Sequence, residues 1–169
     1  MNAQDARTHT RYSGWASRKL LEAVTNLTPE ERTRPMGVSH ESVQRTLAHI
    51  YFADSIWYSR TVDPSVPVPN PNELPSMETL AAGWKSLQNN WEVWTSSLTD
   101  HDLDRIVQYK QRDGTPFETP VWQIVLHVVN HATLHRGQVM AMLRQLGAKP
   151  PGTDLIFYYR ELKAAGSSA

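Results

Sequence analysis

The sequence predicts an all-α fold, an antiparallel four-helix bundle with a small β-hairpin before its last long helix. Four long segments carry apolar side chains at the three- and four-residue spacing of an amphipathic helix. A proline-rich stretch separates the second segment from the third, and an Asp-Gly turn precedes the fourth. With 169 residues, the chain is expected to form one domain over residues 1–169.

The first two helices are predicted from their apolar positions and their flanking residues. The first runs from about Asp5 to Leu27, with apolar positions at Tyr12, Trp15, Leu20, Leu21 and Val24. Ser39 is predicted to be the N-cap of the second helix, which extends to about Arg60. One face of that helix carries Val43, Leu47, Ile50, Asp54 and Trp57.

The middle of the chain contains a long connection, a third helix and the hairpin. Residues 62–75 hold five prolines and are predicted to be a loop. Ser76 is predicted to cap a helix that runs to Leu98. Its large side chains Trp84, Trp91 and Trp94, together with Trp57, are expected to be core or dimer-interface residues. Segments 105–109 and 116–119 form the predicted hairpin around the turn Arg112-Asp113-Gly114-Thr115.

The fourth helix contains three histidines at four-residue spacing. Pro120 suits its first turn and Gly147 ends it. Its apolar stripe consists of Val121, Ile124, Val125, Val128, Ala132, Val139, Met142, Leu143 and Leu146. His131 and His135 lie inside or beside this stripe, and His127 lies at its edge. A buried imidazole needs a hydrogen-bond partner or a metal, so this pair suggests a metal site. After the helix, Leu155–Leu162 is too aromatic to be a free tail.

Composition excludes several classes of function. Lys plus Arg equals Asp plus Glu at 17 each, so no net basic charge attracts nucleic acid. Cysteine is absent, so any metal must be held by His, Asp or Glu. No apolar run reaches the roughly 20 residues of a membrane span. Residues 1–11 lack the apolar core of a signal peptide, and a cytoplasmic protein is expected.

A helical histidine pair needs a third ligand from another helix. His9, His40 and His101 are expected to be solvated surface residues. His49 is centred on the second helix and is the candidate, although a lone histidine there could also be a hydrogen-bonded core residue. Three imidazoles with an open fourth position are typical of a catalytic zinc. The metalloprotease H-E-x-x-H motif is excluded, because Ala and Thr stand at positions 132 and 133.

Two further polar residues have alternative interpretations. His127 lies about 12 Å along the helix axis from His135, so it is expected to support the site or to lie at the core edge. Asp54 is predicted either to form a buried ion pair with an arginine such as Arg18 or to orient a ligand histidine.

The segment Leu126–Gln138 resembles the C-terminal motif of the DinB superfamily of DinB/YfiT-like metalloenzymes. The similarity extends to Thr46–Ile50, Tyr12–Trp15 and Pro151–Arg160, and therefore over nearly the whole chain. It implies a bundle with an up-down-down-up course. It also implies a divalent metal, zinc or nickel, bound by His49, His131 and His135, and a homodimer. Characterised members include thiol-dependent S-transferases and an isomerase that use bacillithiol, mycothiol or glutathione.

Two classes of function follow from these patterns. The first is an enzyme acting on a small molecule, in which the open metal position binds a thiol or a water. The family resemblance favours a transferase, and a metal-dependent hydrolase is the alternative, with Glu41 and Asp54 as weak candidates for a general base. The second is a non-catalytic scaffold whose metal is structural or absent. DNA binding is disfavoured because the chain lacks a basic face.

Overall fold

The computed structural model describes residues 1–111 and 113–166, which are mostly helical. The helices are α1 (Ala3–Thr25), α2 (Pro29–Thr33), α3 (Val43–Thr61), α4 (Met77–Ser97), α5 (Val121–Gln145) and α6 (Leu155–Gly166). A 3-10 turn (His101–Asp104) and strands β1 (Ile106–Lys110) and β2 (Pro116–Pro120) lie between α4 and α5. The predicted helical class with a small antiparallel hairpin is therefore confirmed. Each of the long helices α1 and α3 contacts both α4 and α5.

Side-chain caps determine where the helices begin. Asn2 and Asp5 form a capping box at the start of α1. The predicted cap Ser76 is confirmed for α4. The prediction that Ser39 caps the second long helix is wrong. Ser42 is the cap, because its hydroxyl accepts a hydrogen bond from the Arg45 backbone N–H at 3.3 Å. The residues before it form a loop instead of a first helical turn.

The hairpin leads directly into α5. β1 and β2 are antiparallel, with Ile106 opposite Pro120. Gly114 has a φ of 87° in the connecting turn, which explains the glycine there. Arg112, part of the predicted turn, lies outside the described residues. Pro120 ends β2 and is also the N-cap residue of α5, and Gly147 follows the helix with a φ of 76°. The predicted end of the histidine helix at Gly147 is confirmed, and its start lies one residue later than predicted, because Pro120 is the N-cap instead of the first helical residue.

Aromatic residues fill much of the space between the helices. Trp84 is fully buried among aliphatic side chains of α1, α3 and α5, and Trp91 is buried in a second cluster. Trp57 and Trp94 are only half-buried. The C-terminal segment is a helix, and its buried Tyr158 packs on Tyr12. Among the described helices, none has the length and apolar character needed to cross a membrane.

Candidate metal centre

The α5 histidines lie one turn apart, as their spacing predicts. The ring centroids of His131 and His135 are 4.4 Å apart. His135 is buried and His131 is half-buried, because the apolar stripe of α5 packs against α1 and α3. This packing brings the pair against a second long helix, where a third ligand can meet it.

His49 of α3 faces this pair. Its Nε2 is 3.1 Å from Nε2 of His131, and its ring centroid is 4.6 Å from that of His135. The structure therefore brings together the three histidines that the sequence predicts as ligands. Two nitrogen ligands of a tetrahedral zinc, each roughly 2.0–2.1 Å from the ion, are about 3.3 Å apart. The observed contact between His49 and His131 is close to that separation.

A fourth histidine joins the cluster. His40 lies in the loop before α3, and its ring stacks on that of His49 at 3.7 Å with an interplanar angle of 19°. The expectation that His40 is a solvated surface residue is wrong, because this loop folds back over the start of α3. One ring nitrogen from each of His40, His49 and His135 lies within 4.8 Å of the other two. That trio differs from the predicted set by one member, and the assignment of His131 as a ligand stays a prediction.

The hydrogen bond at the outer ring nitrogen of His135 fits a bound metal. Nδ1 of His135 lies 2.8 Å from the side-chain oxygen of Gln138, one turn further along α5. If Nδ1 donates to that oxygen, the lone pair of Nε2 is free to point into the cluster. This contact was not predicted, although three-residue spacing on a helix indicates it. Nδ1 of His131 is buried without a hydrogen-bond partner among the described residues.

The cluster favours the neutral form of His40, His49 and His131, which is the form that metal binding requires. Burial, with a further contribution from the neighbouring histidines, lowers the pKa of His131 to about 3 and that of His49 to about 4. Burial also lowers the pKa of His40. A donor set of neutral nitrogens suits zinc or nickel, so the residues present fit the metal that the sequence predicts.

His127 lies outside this cluster. Its ring centroid is 5.7 Å from that of His131, and its side chain is exposed at the surface. The ring packs edge-on against Trp57 at 5.2 Å. His127 is therefore a neighbour of the site rather than a member of it, consistent with its distance along the helix axis.

Asp54 is bound by a tryptophan and not by an arginine. The indole N–H of Trp84 donates to Oδ2 of Asp54 at 3.0 Å. The predicted ion pair with Arg18 is wrong, because Arg18 lies beside Glu92 at 3.6 Å. The hydrogen bond that Asp54 accepts comes from Trp84. No hydrogen bond to a ligand histidine is described for Asp54. The charge of buried Arg136 acts on Asp54 from α5.

Arg136 connects α5 to α1 directly beside the histidines. Its guanidinium is almost completely buried and donates to the hydroxyls of Ser13, Ser17 and Thr133 at 3.0, 3.2 and 2.9 Å. No sequence pattern distinguished it from the exposed arginines of the chain. We infer that it holds the helix that carries His135 in place against α1.

Asparagine at position 54 should change how stability depends on pH. Burial raises the pKa of Asp54 to about 7, from 3.8 for the exposed group. The wild-type protein therefore loses stability as pH rises from about 4 to 7, because the unfolded chain releases this proton first. Asp54→Asn should remove that loss. Urea denaturation measures the free energy of unfolding of the variant and of wild type at each pH. The variant's value minus the wild-type value should be roughly 3 kcal/mol larger at pH 7.5 than at pH 4.5. A constant difference would contradict the raised pKa.

A cleft of about 190 Å³ opens beside the cluster. It is formed by the loop of His40, the first half of α3 and the proline-rich connection, and includes His40, His49, Arg45, Tyr51 and Glu73. This volume is below the roughly 300–1,000 Å³ of drug-sized sites, so it suits a small or partly exposed ligand. Of the two acids considered as general bases, Glu41 lines the cleft, whereas Asp54 borders a separate, smaller pocket.

Comparisons with known proteins agree on one family. A family model described as DinB family matches residues 1–163. Protein DinB of Bacillus subtilis (strain 168) is 24% identical over 155 residues, which cover 87% of this chain and 89% of that protein. The crystal structure of a DinB-like protein from Bacillus cereus ATCC 10987 has a TM-score of 0.60 and 28% identity. The structural match covers 84% of this chain and 91% of the chain from Bacillus cereus.

Proposed function

This chain belongs to the DinB family, and from that premise we propose that it is a metal- and thiol-dependent enzyme of the S-transferase type. Its divalent ion, zinc or nickel, is bound by His49, His131 and His135. The observation that carries the proposal is the 3.1 Å approach of the His49 and His131 ring nitrogens, with buried His135 beside both. Nothing in a helical core requires three imidazoles to converge in this way.

The cleft supports a reaction on a small molecule. The ion pair of Arg45 with Glu41 offers polar groups to a substrate or cofactor, and Tyr51 and Phe52 offer apolar surface. His49 borders both the cleft and the histidine cluster, so a ligand in the cleft lies next to the metal-binding nitrogens. His49, His131 and His135 all lie on long helices, so the geometry of the proposed metal centre is rigid.

The chemistry that the ion supplies when bound is a lowered pKa of a coordinated thiol or water, which gives a nucleophile near pH 7. Because the chain has no cysteine, the thiol must come from a small molecule such as bacillithiol, mycothiol or glutathione. The hydrolase alternative draws on Glu41, which lines the cleft and is paired with Arg45 at 3.2 Å.

A cobalt-substituted protein distinguishes these chemistries. Titration with each of the three thiols should add a sulfur-to-metal charge-transfer band if a thiolate binds the ion. Turnover of thiol and electrophile should then be lost when a chelator is added. Metal-dependent cleavage of esters or amides without a thiol effect would favour the hydrolase. If neither signal is observed, the protein is a scaffold and the enzyme proposal is wrong.

Removing the ion should lower the melting temperature without unfolding the helices. The aliphatic and tryptophan side chains between α1, α3, α4 and α5 form the core, and the metal site lies at its edge. An ion that binds only the folded state adds about 2.7 kcal/mol at one hundred times its Kd. Circular dichroism with and without chelator measures both quantities. Loss of the helical signal at room temperature would show that the metal holds the fold together.

We also propose that residues 1–169 form one up-down-down-up bundle domain that assembles as a homodimer. The tryptophan argument for a dimer is weakened, because Trp84 and Trp91 are buried within the chain. Helix α6 offers a better reason, since it exposes the large apolar side chains Ile156, Phe157, Tyr159 and Leu162. Light scattering should give twice the 19.2 kDa chain mass at micromolar concentration. A monomer mass would contradict the proposal.

A further inference from the structure

His40 approaches the metal centre from a loop, whereas the three proposed ligands come from helices. Its ring lies flat on His49 at 3.7 Å and meets the ring of His135 edge-on at 5.1 Å. Its ring nitrogen lies within 4.8 Å of nitrogens on both of these residues. A fourth nitrogen donor is therefore within reach of an ion held by the other histidines.

The loop that carries His40 has a defined turn. The Glu41 backbone N–H donates to the Val38 carbonyl at 2.9 Å, and the Met36 N–H donates to the Glu41 carbonyl at 2.7 Å. Glu41 has a φ of 62°, a left-handed conformation that residues with a Cβ rarely adopt. The residue after Glu41 is Ser42, the cap of α3. The backbone at His40 is thus held at both ends, and its side chain is directed onto His49.

The position of His40 also places it between the cleft and the cluster. It lines the cleft together with His49, whereas neither α5 histidine does so. A small molecule that reaches the centre through this cleft passes the His40 ring. A ligand on a short loop can move away without disturbing the packing of α3 on α5, which a helical ligand cannot do.

We propose that His40 is a displaceable fourth ligand that closes the metal centre until a nucleophile enters from the cleft. The inference rests on the proposed function, because it takes the ion bound by His49, His131 and His135 as given. With an ion bound, His40 would hold it together with the three helical histidines, and a thiol sulfur entering from the cleft would take the place of the His40 nitrogen. The proton of the thiol passes to the buffer. A four-ligand site is otherwise typical of structural zinc.

Cobalt binding to matched variants tests this role without any assay of activity. His40→Ala removes the ring, His40→Phe keeps a ring on His49 without a nitrogen, and Ser39→Ala alters a neighbouring residue that also lines the cleft. Both His40 variants should bind cobalt about tenfold more weakly or worse, measured by competition with a chelator. Both should bind glutathione at the cobalt ion more tightly than wild type, because no ligand has to leave. Ser39→Ala should match wild type in its affinity for cobalt.

Each other outcome overturns a defined part of the proposal. Weaker cobalt binding in His40→Ala but not in His40→Phe means that His40 only stacks on His49. Weaker cobalt binding without tighter glutathione binding makes His40 a permanent ligand. Unchanged cobalt binding in both variants overturns the role of His40 alone. A wild-type protein that takes up no cobalt overturns the proposed function as well.

Discussion

Replacing His131 by alanine is expected to abolish stoichiometric binding of a divalent ion. The substitution leaves His49 without the nitrogen that faces it at 3.1 Å, and it removes half of the chelating pair on α5. We expect the affinity for zinc to fall by about 100-fold or more. Metal analysis after purification under native conditions, followed by competition with a chelator, measures the loss. His135→Ala should have an effect of the same size.

His127→Ala is the matched control for this experiment. It removes an imidazole from the same helix, one turn before His131, but from an exposed position beside Trp57. It should keep a full complement of metal. Stoichiometric metal in the His131→Ala protein would exclude the predicted ligand set. It would favour instead the trio of His40, His49 and His135, whose nitrogens lie within 4.8 Å of one another.

Replacing Trp84 by alanine is expected to cause the largest loss of stability. Trp84 has no exposed surface, and its indole N–H is the described hydrogen-bond donor to buried Asp54. Emptying such a position costs about 3–5 kcal/mol, and a buried carboxyl group that loses its partner adds about 1–3 kcal/mol. Urea denaturation should therefore show a protein that is barely folded or unfolded.

Two variants separate the contributions at this position. Trp94→Ala makes the same substitution in the same helix at a half-buried site and should cost about 1–2 kcal/mol. Trp84→Phe keeps most of the ring but lacks the N–H, so it should show mainly the loss of the bond to Asp54. If Trp84→Ala and Trp94→Ala lower the free energy of unfolding equally, Trp84 does not contribute more to the core than a half-buried tryptophan does.

Most helix boundaries follow from local chemistry and could be predicted. Ser76 caps α4 and Gly147 ends α5, because caps depend on residues near in sequence. The start of α3 was misplaced, since both Ser39 and Ser42 are suitable caps by residue type. The choice between them depends on the turn around Glu41, which brings His40 onto His49. That turn is not visible in a pattern of apolar residues.

The partners of buried polar groups were predicted less well. Asp54 was expected either to pair with an arginine such as Arg18 or to orient a ligand histidine, yet its hydrogen bond comes from Trp84 of α4. Arg136 was not singled out, although it is the most deeply buried charged residue described. Residue type and helical face show that such a group is buried. They do not show which helix supplies the hydroxyl or the indole that bonds to it.

The sequence by itself determined the helical class, the hairpin, and the spacing that puts His131 and His135 on one face of α5. These depend on periodicity and on residues that are close along the chain, so their physical causes are local. The tertiary structure alone decided that His49 meets His131 through ring nitrogens and that His40 joins them from a loop. The first contact joins residues 82 positions apart along the chain, and the second depends on the conformation of the turn between His40 and α3. They exist because α3 packs on α5 and the loop before α3 folds back over its first turn.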